Sequence, residues 1–178
     1  NATVKFIPIA EDGSLDLNAF EQLLSHKTKL FALTHISNVL GTVNPIQALI
    51  KKAHDVGAIC LIDGAQAVAH QRVDVQALNA DFYVFSGHKL YAPTGTGILY
   101  GKRELLEAMP PWFGGGDMIQ TVTLNGFTVN ELPAKFEAGT PHIAGFIGLG
   151  AAIRWLNAVG LENIAQYEHD LMQVLRDK

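Results

Sequence analysis

Short apolar segments of strand length recur through the first hundred residues of this chain, and helical patterns lie between them. The four apolar segments are residues 29–34, 58–62, 82–85 and 97–100. One helical pattern has Asp16 as its N-cap, and another has Asn44 as its cap with Pro45 at the first helical position. This alternation predicts βαβ units, and therefore an α/β fold with a mostly parallel sheet and helices on both faces.

Polar residues follow three of the predicted strands directly. They are residues 35–38, 63–66 and 86–89. In open α/β sheets, ligands bind in the crevice outside the carboxyl ends of the strands. The sequence therefore predicts that these three segments share one functional edge.

Composition excludes several classes of protein. Of 178 residues, 48% are hydrophobic and 17% are charged, which predicts an ordered domain. The net charge of −4 offers no cationic surplus for phosphate backbones, so we expect no nucleic-acid partner. No apolar run reaches the ~18 residues of a membrane span, so we expect no membrane association.

The single cysteine, Cys60, excludes a disulfide framework and a CxxC metal site. The seven histidines show no HxH or HExxH spacing, so no metal site is predicted. A lone free thiol is consistent with a reducing compartment, and we expect a cytoplasmic protein. Cys60 lies in a predicted buried strand and is expected to be inert.

The second half contains a long segment rich in Gly, Thr and Pro, residues 109–133, with a hairpin signal at Asn125-Gly126. Thr140-Pro141 is then expected to open a helix that is apolar over most of its circumference and deeply buried. Residues 4–9 resemble a strand, and the last helical pattern still runs at Lys178. We therefore expect the chain to be a fragment of a larger protein.

Five side chains at the predicted edge could carry chemistry, although each alone also has an ordinary structural explanation. A lysine such as Lys89, if partly buried, becomes a nucleophile that forms Schiff bases with carbonyls such as that of pyridoxal phosphate. Asp63, at the end of a strand, could pair with a protonated pyridine nitrogen. Ser86 and His88 flank a glycine and could donate to a phosphate, and Gln66 offers an amide.

Five sequence motifs carry a family resemblance. The motifs are HISNVLGT at 35–42, DGAQA at 63–67, ADFY at 80–83, SGHK at 86–89 and FEAGTP at 136–141. Together they resemble the class V, fold-type I enzymes that use pyridoxal phosphate, and most closely the SufS/CsdA-type cysteine desulfurases, also called selenocysteine lyases. The resemblance extends over essentially all 178 residues.

The resemblance implies a role for each matching position. Lys89 would be the catalytic residue that binds pyridoxal 5'-phosphate covalently, and Asp63 would pair with the pyridine nitrogen. Gln66 would bond the phenolic oxygen, while Ser86 and His88 would hold the phosphate. Two further cofactor-binding residues are implied. Asn38 would help to hold the substrate carboxylate or the cofactor oxygen, and Thr140 would reach the phosphate of a neighbouring subunit, because the family works as a homodimer.

The implied activity is release of sulfur or selenium from L-cysteine or L-selenocysteine, giving L-alanine through an enzyme persulfide, with a sulfur-acceptor protein as partner. Residues 1–178 would be the central part of the large domain. A ring-stacking histidine, a phosphate loop, the persulfide cysteine and a carboxylate-binding arginine are expected outside the chain. Another class V enzyme, such as an aminotransferase or a kynureninase-like hydrolase, and a non-catalytic domain with the same fold remain alternatives.

Overall fold

Four strands form one sheet in the computed structural model, which describes residues 2–177. In spatial and chain order they are β1 (Leu30–Thr34), β2 (Ile59–Asp63), β3 (Phe82–Ser86) and β4 (Gly97–Gly101). The pairs β1–β2 and β2–β3 are parallel, whereas β4 is antiparallel to β3. The predicted α/β fold class and all four predicted strands of this sheet are confirmed.

Helices and a separate hairpin complete the described chain. The helices are α1 (Leu17–Leu23), α2 (Ile46–Asp55), α3 (Ala67–His70), α4 (Arg103–Ala108), α5 (Ile143–Val159) and α6 (Leu161–Arg176). Short 3-10 turns span Gly87–Leu90 and Ala134–Phe136. Strands β5 (Ile119–Thr123) and β6 (Gly126–Val129) form an antiparallel hairpin, which confirms the predicted hairpin. Its two-residue turn is Leu124-Asn125, one residue earlier than the predicted Asn125-Gly126.

The first helix begins as its sequence predicts, but the second does not. Asp16 caps α1 because its carboxylate accepts from the Ala19 N–H at 2.9 Å. In α2, Pro45 occupies the cap position, so the prediction of Asn44 as the cap is wrong. The Asn44 side chain instead donates to the Thr34 carbonyl at 2.8 Å, which anchors the start of α2 to the end of β1.

One face of the sheet carries the core. Phe31, Cys60, Ile62 and Tyr83 project from this face and are buried beneath α1 and α2. Alternate strand residues project to the opposite face, where Leu30, Ile59 and Leu99 stay accessible. A second cluster, around Leu90, packs α3 and α5 against the carboxyl end of β3.

The prediction of a strand near the start of the chain is wrong. Residues 4–9 form no strand: Ile9 makes one isolated bridge to Leu15, and the side chains of Val4 and Phe6 are exposed. A strand needs a partner for its backbone groups, and no strand among residues 2–177 pairs with this segment.

Helix α5 differs from its prediction in start and burial. His142 is its N-cap residue, so Thr140 lies two residues before the cap and does not cap the helix. The helix is apolar, but its apolar surface exceeds what α3, α6 and the Leu90 turn can cover. Ile143, Phe146 and Ile147 therefore remain exposed.

No single helix within residues 2–177 is long and apolar enough to cross a membrane. Helices α5 and α6 pass a test of length and composition only when taken together, and the chain bends by 72° between them.

Candidate active site

The carboxyl ends of β1, β2 and β3 meet at one edge of the sheet. The His35 N–H, just past β1, donates to the Asp63 carbonyl at 2.7 Å. The Gly64 N–H, just past β2, donates to the Val84 carbonyl at 2.8 Å. Asp63 therefore sits between its two neighbours, and the three polar segments predicted to share an edge do so. We call this edge, residues 35–38, 63–66 and 86–89, the polar rim.

The loop after β2 presents Asp63 and Gln66. One Asp63 carboxylate oxygen accepts from the Ala65 N–H at 2.9 Å, which closes a turn. The other oxygen has no hydrogen-bond partner in the described chain. Gln66 immediately precedes α3, is half-buried, and makes no side-chain hydrogen bond to residues 2–177. Asp63 therefore does close a turn, as its ordinary structural explanation requires, but this turn uses only one of its two carboxylate oxygens.

The turn after β3 presents Ser86, His88 and Lys89. The Gly87 N–H donates to the Thr96 carbonyl at 2.8 Å, and a Cβ at position 87 would overlap the Thr96 hydroxyl. Glycine is therefore required for this turn to pack against the segment that leads into β4.

Lys89 is exposed, so the expectation of a partly buried lysine is wrong for the described chain. Helices α3 and α5 pack on the side of the turn that carries Leu90, which leaves Lys89 and His88 facing outward. Within residues 2–177, the side chains of Ser86, His88 and Lys89 make no hydrogen bonds. Three donors are thus grouped on one turn without an internal partner.

The two remaining predicted residues lie further from this cluster. Asn38 is exposed at the tip of the loop after β1, where the Ser37 hydroxyl accepts from the Val39 and Leu40 N–H groups. Thr140 is exposed in the segment before α5. A Cβ at Gly95 would lie 3.4 Å from the His142 ring, so the start of α5 lies beside the turn that precedes β4. Thr140 makes no hydrogen bond to the polar rim.

Sequence reasoning missed a buried polar network beneath the rim. His35 Nδ1 lies 2.9 Å from the Tyr83 hydroxyl, and His35 Nε2 lies 2.8 Å from Gln71 Nε2. Burial lowers the pKa of His35. Burial, with the charge of Asp63 as a second cause, raises the pKa of Tyr83. The signals in the sequence were the hydroxyl of Tyr83 within an apolar run and the position of His35 directly after a predicted strand.

A second network, at the opposite edge of the sheet, is centred on Asp81. Its carboxylate accepts from the Cys60 N–H at 2.7 Å, lies 2.8 Å from His54 Nε2, and pairs with Lys102 at 2.7 Å. Burial would raise the pKa of Asp81, but the bonds from Lys102, Cys60 and His54 outweigh it and hold that pKa below its usual range. Ligand atoms of His54, Cys60 and Asp81 lie within 4.8 Å of one another, although Lys102 already neutralises the carboxylate.

The prediction that Cys60 is buried and inert is supported by its surroundings. Its exposed fraction is 0%, and burial, together with the nearby Asp81 charge, raises the pKa of its thiol to about 12. The thiolate, which is the nucleophilic form, is therefore scarce near neutral pH.

Comparison with known proteins identifies the family. The sequence profile of the class-V aminotransferases matches residues 1–178. The chain belongs to the class-V aminotransferase family. It is 58% identical over 172 residues to a cysteine desulfurase of Escherichia coli O8 (strain IAI1), a match that spans 96% of this chain and 42% of that relative.

Solved structures agree with this class-V assignment. The cysteine desulfurase CsdA from Escherichia coli superposes with a TM-score of 0.92 at 43% identity, over 96% of this chain and 43% of that one. The apo cysteine desulfurase from Thermococcus onnurineus NA1 gives a TM-score of 0.92 at 41% identity, over 97% and 43%. The fold is therefore that of the fold-type I enzymes, and this class-V chain spans less than half the length of these relatives.

Enzymes of this class depend on pyridoxal phosphate, and the donor set of the polar rim fits that cofactor. The cofactor presents an aldehyde, a pyridine nitrogen, a phenolic oxygen and a phosphate. The rim offers an amine, a carboxylate with one free oxygen, an amide, and a hydroxyl with an imidazole. These groups belong to Lys89, Asp63, Gln66, Ser86 and His88. Within the described chain their side chains make no hydrogen bonds, except for the one Asp63 oxygen that closes the turn.

Proposed function

We propose that the full-length protein is a pyridoxal-phosphate-dependent cysteine desulfurase that releases sulfur from L-cysteine, or selenium from L-selenocysteine, and leaves L-alanine. The relatives named above are cysteine desulfurases, and the matched segments cover 96% of this chain. The observation that carries the proposal is the placement of Asp63 and the Lys89 turn on adjacent strand ends, with their functional groups available.

The bound cofactor supplies an electron sink for cleavage at the substrate's carbon atoms. Lys89, on its exposed turn, would hold the cofactor covalently and would be the group that moves protons. The free oxygen of Asp63 keeps a proton on the pyridine nitrogen. Gln66 donates to the phenolic oxygen from the start of α3.

The phosphate would be held by residues beside Lys89. Ser86 and His88 donate to it from the turn after β3, next to the lysine. Asn38 reaches from the loop after β1 toward the substrate carboxylate or the cofactor oxygen. Its exposed position supports a contact to a ligand more than a packing role.

Cys60 is not the sulfur nucleophile in this proposal. It lies in the core at the edge of the sheet opposite Lys89, and its thiol has a pKa of about 12. Persulfide formation needs an exposed, mobile thiolate, so another cysteine of the full-length protein carries this step.

The functional unit in this proposal is a homodimer in which Thr140 contacts the phosphate bound by the partner subunit. Helix α5 begins shortly after Thr140 and exposes Ile143, Phe146 and Ile147. Together with Leu99, these side chains line a groove of about 950 Å³. An exposed apolar surface of this kind is typical of an interface. We further propose a sulfur-acceptor protein as partner, a role in iron–sulfur cluster assembly, and a cytoplasmic location.

Reductive trapping tests the proposal directly. The full-length protein is loaded with pyridoxal phosphate, reduced with borohydride and mapped by mass spectrometry. We expect the label on Lys89, and we expect Lys89→Ala to lose both the visible band of the lysine-bound cofactor and sulfide release. Lys51→Ala, an exposed lysine on α2, is the matched control. A label on another lysine would refute the assignment.

Asp63 variants test the proposed pairing of its carboxylate with the pyridine nitrogen. Asp63→Ala is expected to lower turnover by several orders of magnitude, whereas Asp63→Glu retains more activity because it keeps a carboxylate. The assay is alanine or sulfide release from L-cysteine and L-selenocysteine. Turnover close to wild type in Asp63→Ala would contradict the proposed pairing.

A further inference from the structure

The buried network of His35, Tyr83 and Gln71 connects β1, β3 and the end of α3 beneath the polar rim. His35 is 7% exposed and Tyr83 is 2% exposed, so both residues are shielded from solvent. Both nitrogens of the His35 ring have a partner, at 2.9 Å and 2.8 Å. The network is therefore fully bonded at its centre.

The direction of each hydrogen bond follows from the donors. An amide nitrogen can only donate, so Gln71 Nε2 donates to His35 Nε2. In a neutral imidazole the other nitrogen then carries the proton, so His35 Nδ1–H donates to the Tyr83 hydroxyl. The hydroxyl keeps its own proton, because burial raises the pKa of Tyr83. The three side chains are thus held without charge.

Both sides of this network touch the backbone that carries Asp63. The His35 N–H donates to the Asp63 carbonyl at 2.7 Å. A Cβ at position 64 would overlap the Tyr83 phenol, so Gly64 rests directly against that ring. Tyr83 also senses the Asp63 charge, which contributes to the raised pKa of the phenol. A shift of His35 or Tyr83 would therefore move Asp63.

We propose that His35, Tyr83 and Gln71 are positioning residues that fix the Asp63 carboxylate and, by remaining uncharged, leave it without a competing cation. The Asp63 charge already acts on Tyr83, the hydrogen-bond partner of His35. A protonated His35 would add a positive charge to this network, and that charge would compete with a pyridine nitrogen for the carboxylate. The titratable group bonded to His35 is Tyr83, and the charged group that acts on this network is Asp63. The inference rests on the proposed function, because it concerns the same cofactor.

Gln71→Glu tests the role of charge. A carboxylate at position 71 would accept a hydrogen bond from His35 Nε2–H, and its negative charge would stabilise the protonated ring. We therefore expect His35 to become doubly protonated at neutral pH, observed by nitrogen NMR of the apo protein. In the full-length protein, the dissociation constant of pyridoxal phosphate should rise about tenfold. The pH midpoint of the visible band should also shift by about 0.5 unit or more.

Gln47→Glu is the matched control, since the exposed Gln47 lies on α2 and donates to the Ala77 carbonyl, away from the rim. It makes the same change in charge and is expected to leave the band and the dissociation constant unchanged. Tyr83→Phe removes the hydroxyl without changing charge, and should weaken cofactor binding severalfold while thermal unfolding shows a folded protein.

The outcomes separate the two proposals. If the wild-type protein forms no visible band with pyridoxal phosphate, the proposed function fails before any variant is compared. If the wild type forms the band, but Gln71→Glu and Tyr83→Phe both match its pH midpoint and dissociation constant, the positioning role is refuted. An equal shift in Gln47→Glu and Gln71→Glu would also refute it.

Discussion

The backbone N–H of Cys60 donates to the Asp81 carboxylate at 2.7 Å and links β2 to the residue that precedes β3. The same carboxylate holds Lys102, after β4, and contacts His54 in α2. One buried acid thereby joins four segments at the edge of the sheet opposite the polar rim. We assign this network a structural role, because its hydrogen-bonding groups are already paired with one another.

Replacing Asp81 by Asn is expected to destabilise the full-length protein by about 2 kcal/mol at neutral pH, because the charge-assisted bonds lose their acceptor. The folded-state pKa of Asp81 lies below its ordinary value of 3.8. Its stabilisation is therefore present above that value and is lost as pH falls through the folded-state pKa. Urea unfolding across pH should show the gap between wild type and variant closing in acid. Asp55→Asn, an exposed change on α2, should remain close to wild type.

Cys60 should resist alkylation in the folded protein and react readily in urea. Burial and a pKa of about 12 make thiolate formation rare, so we expect labelling to be at least ~100-fold slower than for an exposed cysteine. Mass mapping after iodoacetamide treatment distinguishes Cys60 from any other cysteine of the full-length protein. Cys60→Ser should retain sulfur release, and loss of that activity in a stable variant would overturn our account of this thiol.

Gly87→Ala should disrupt the turn that carries Lys89. The new Cβ would overlap the Thr96 hydroxyl, and we expect a loss of about 2 kcal/mol of stability with weaker cofactor retention. Adding Thr96→Ala removes the overlapping oxygen and should recover part of the loss. Gly114→Ala is the control, since its Cβ would meet open space. Equal effects at positions 87 and 114 would contradict the close approach seen here.

Thr140 should act across subunits if the proposed homodimer is correct. Thr140→Ala and Lys89→Ala are each expected to lower activity severalfold or more. A mixed dimer of the two variants contains one site with both native residues, because each subunit supplies one of them. Mixing unfolded variants and refolding them together should therefore recover activity up to about one quarter of wild type, given random pairing with half of the dimers mixed and one working site in each. Absence of any recovery, with mixed dimers shown by mass spectrometry, would place Thr140 outside the partner's site.

Local sequence was enough to predict the four strands of the sheet and the position of the polar rim at their ends. Each apolar run is followed by a polar residue that closes the strand, so β2 ends at Asp63 and β3 ends at Ser86 as expected. Parallel pairing then follows from the intervening segments, and it brings Asp63 near the Lys89 turn. The Asp16 cap was equally predictable, because capping involves atoms only three residues apart.

Contacts between distant segments decided the rest. The sequence shows that α5 is apolar but cannot show that only part of its surface is covered, and it cannot reveal that Asn44 binds back to Thr34 instead of capping α2. The partners of His35 lie 36 and 48 residues along the chain, so its neutral, fully bonded state exists only after the strands pair. Short-range chemistry located the ends of β2 and β3 and the cap of α1. The start of α2, the burial of side chains and, with burial, protonation and the placement of Asp63 arise from tertiary packing.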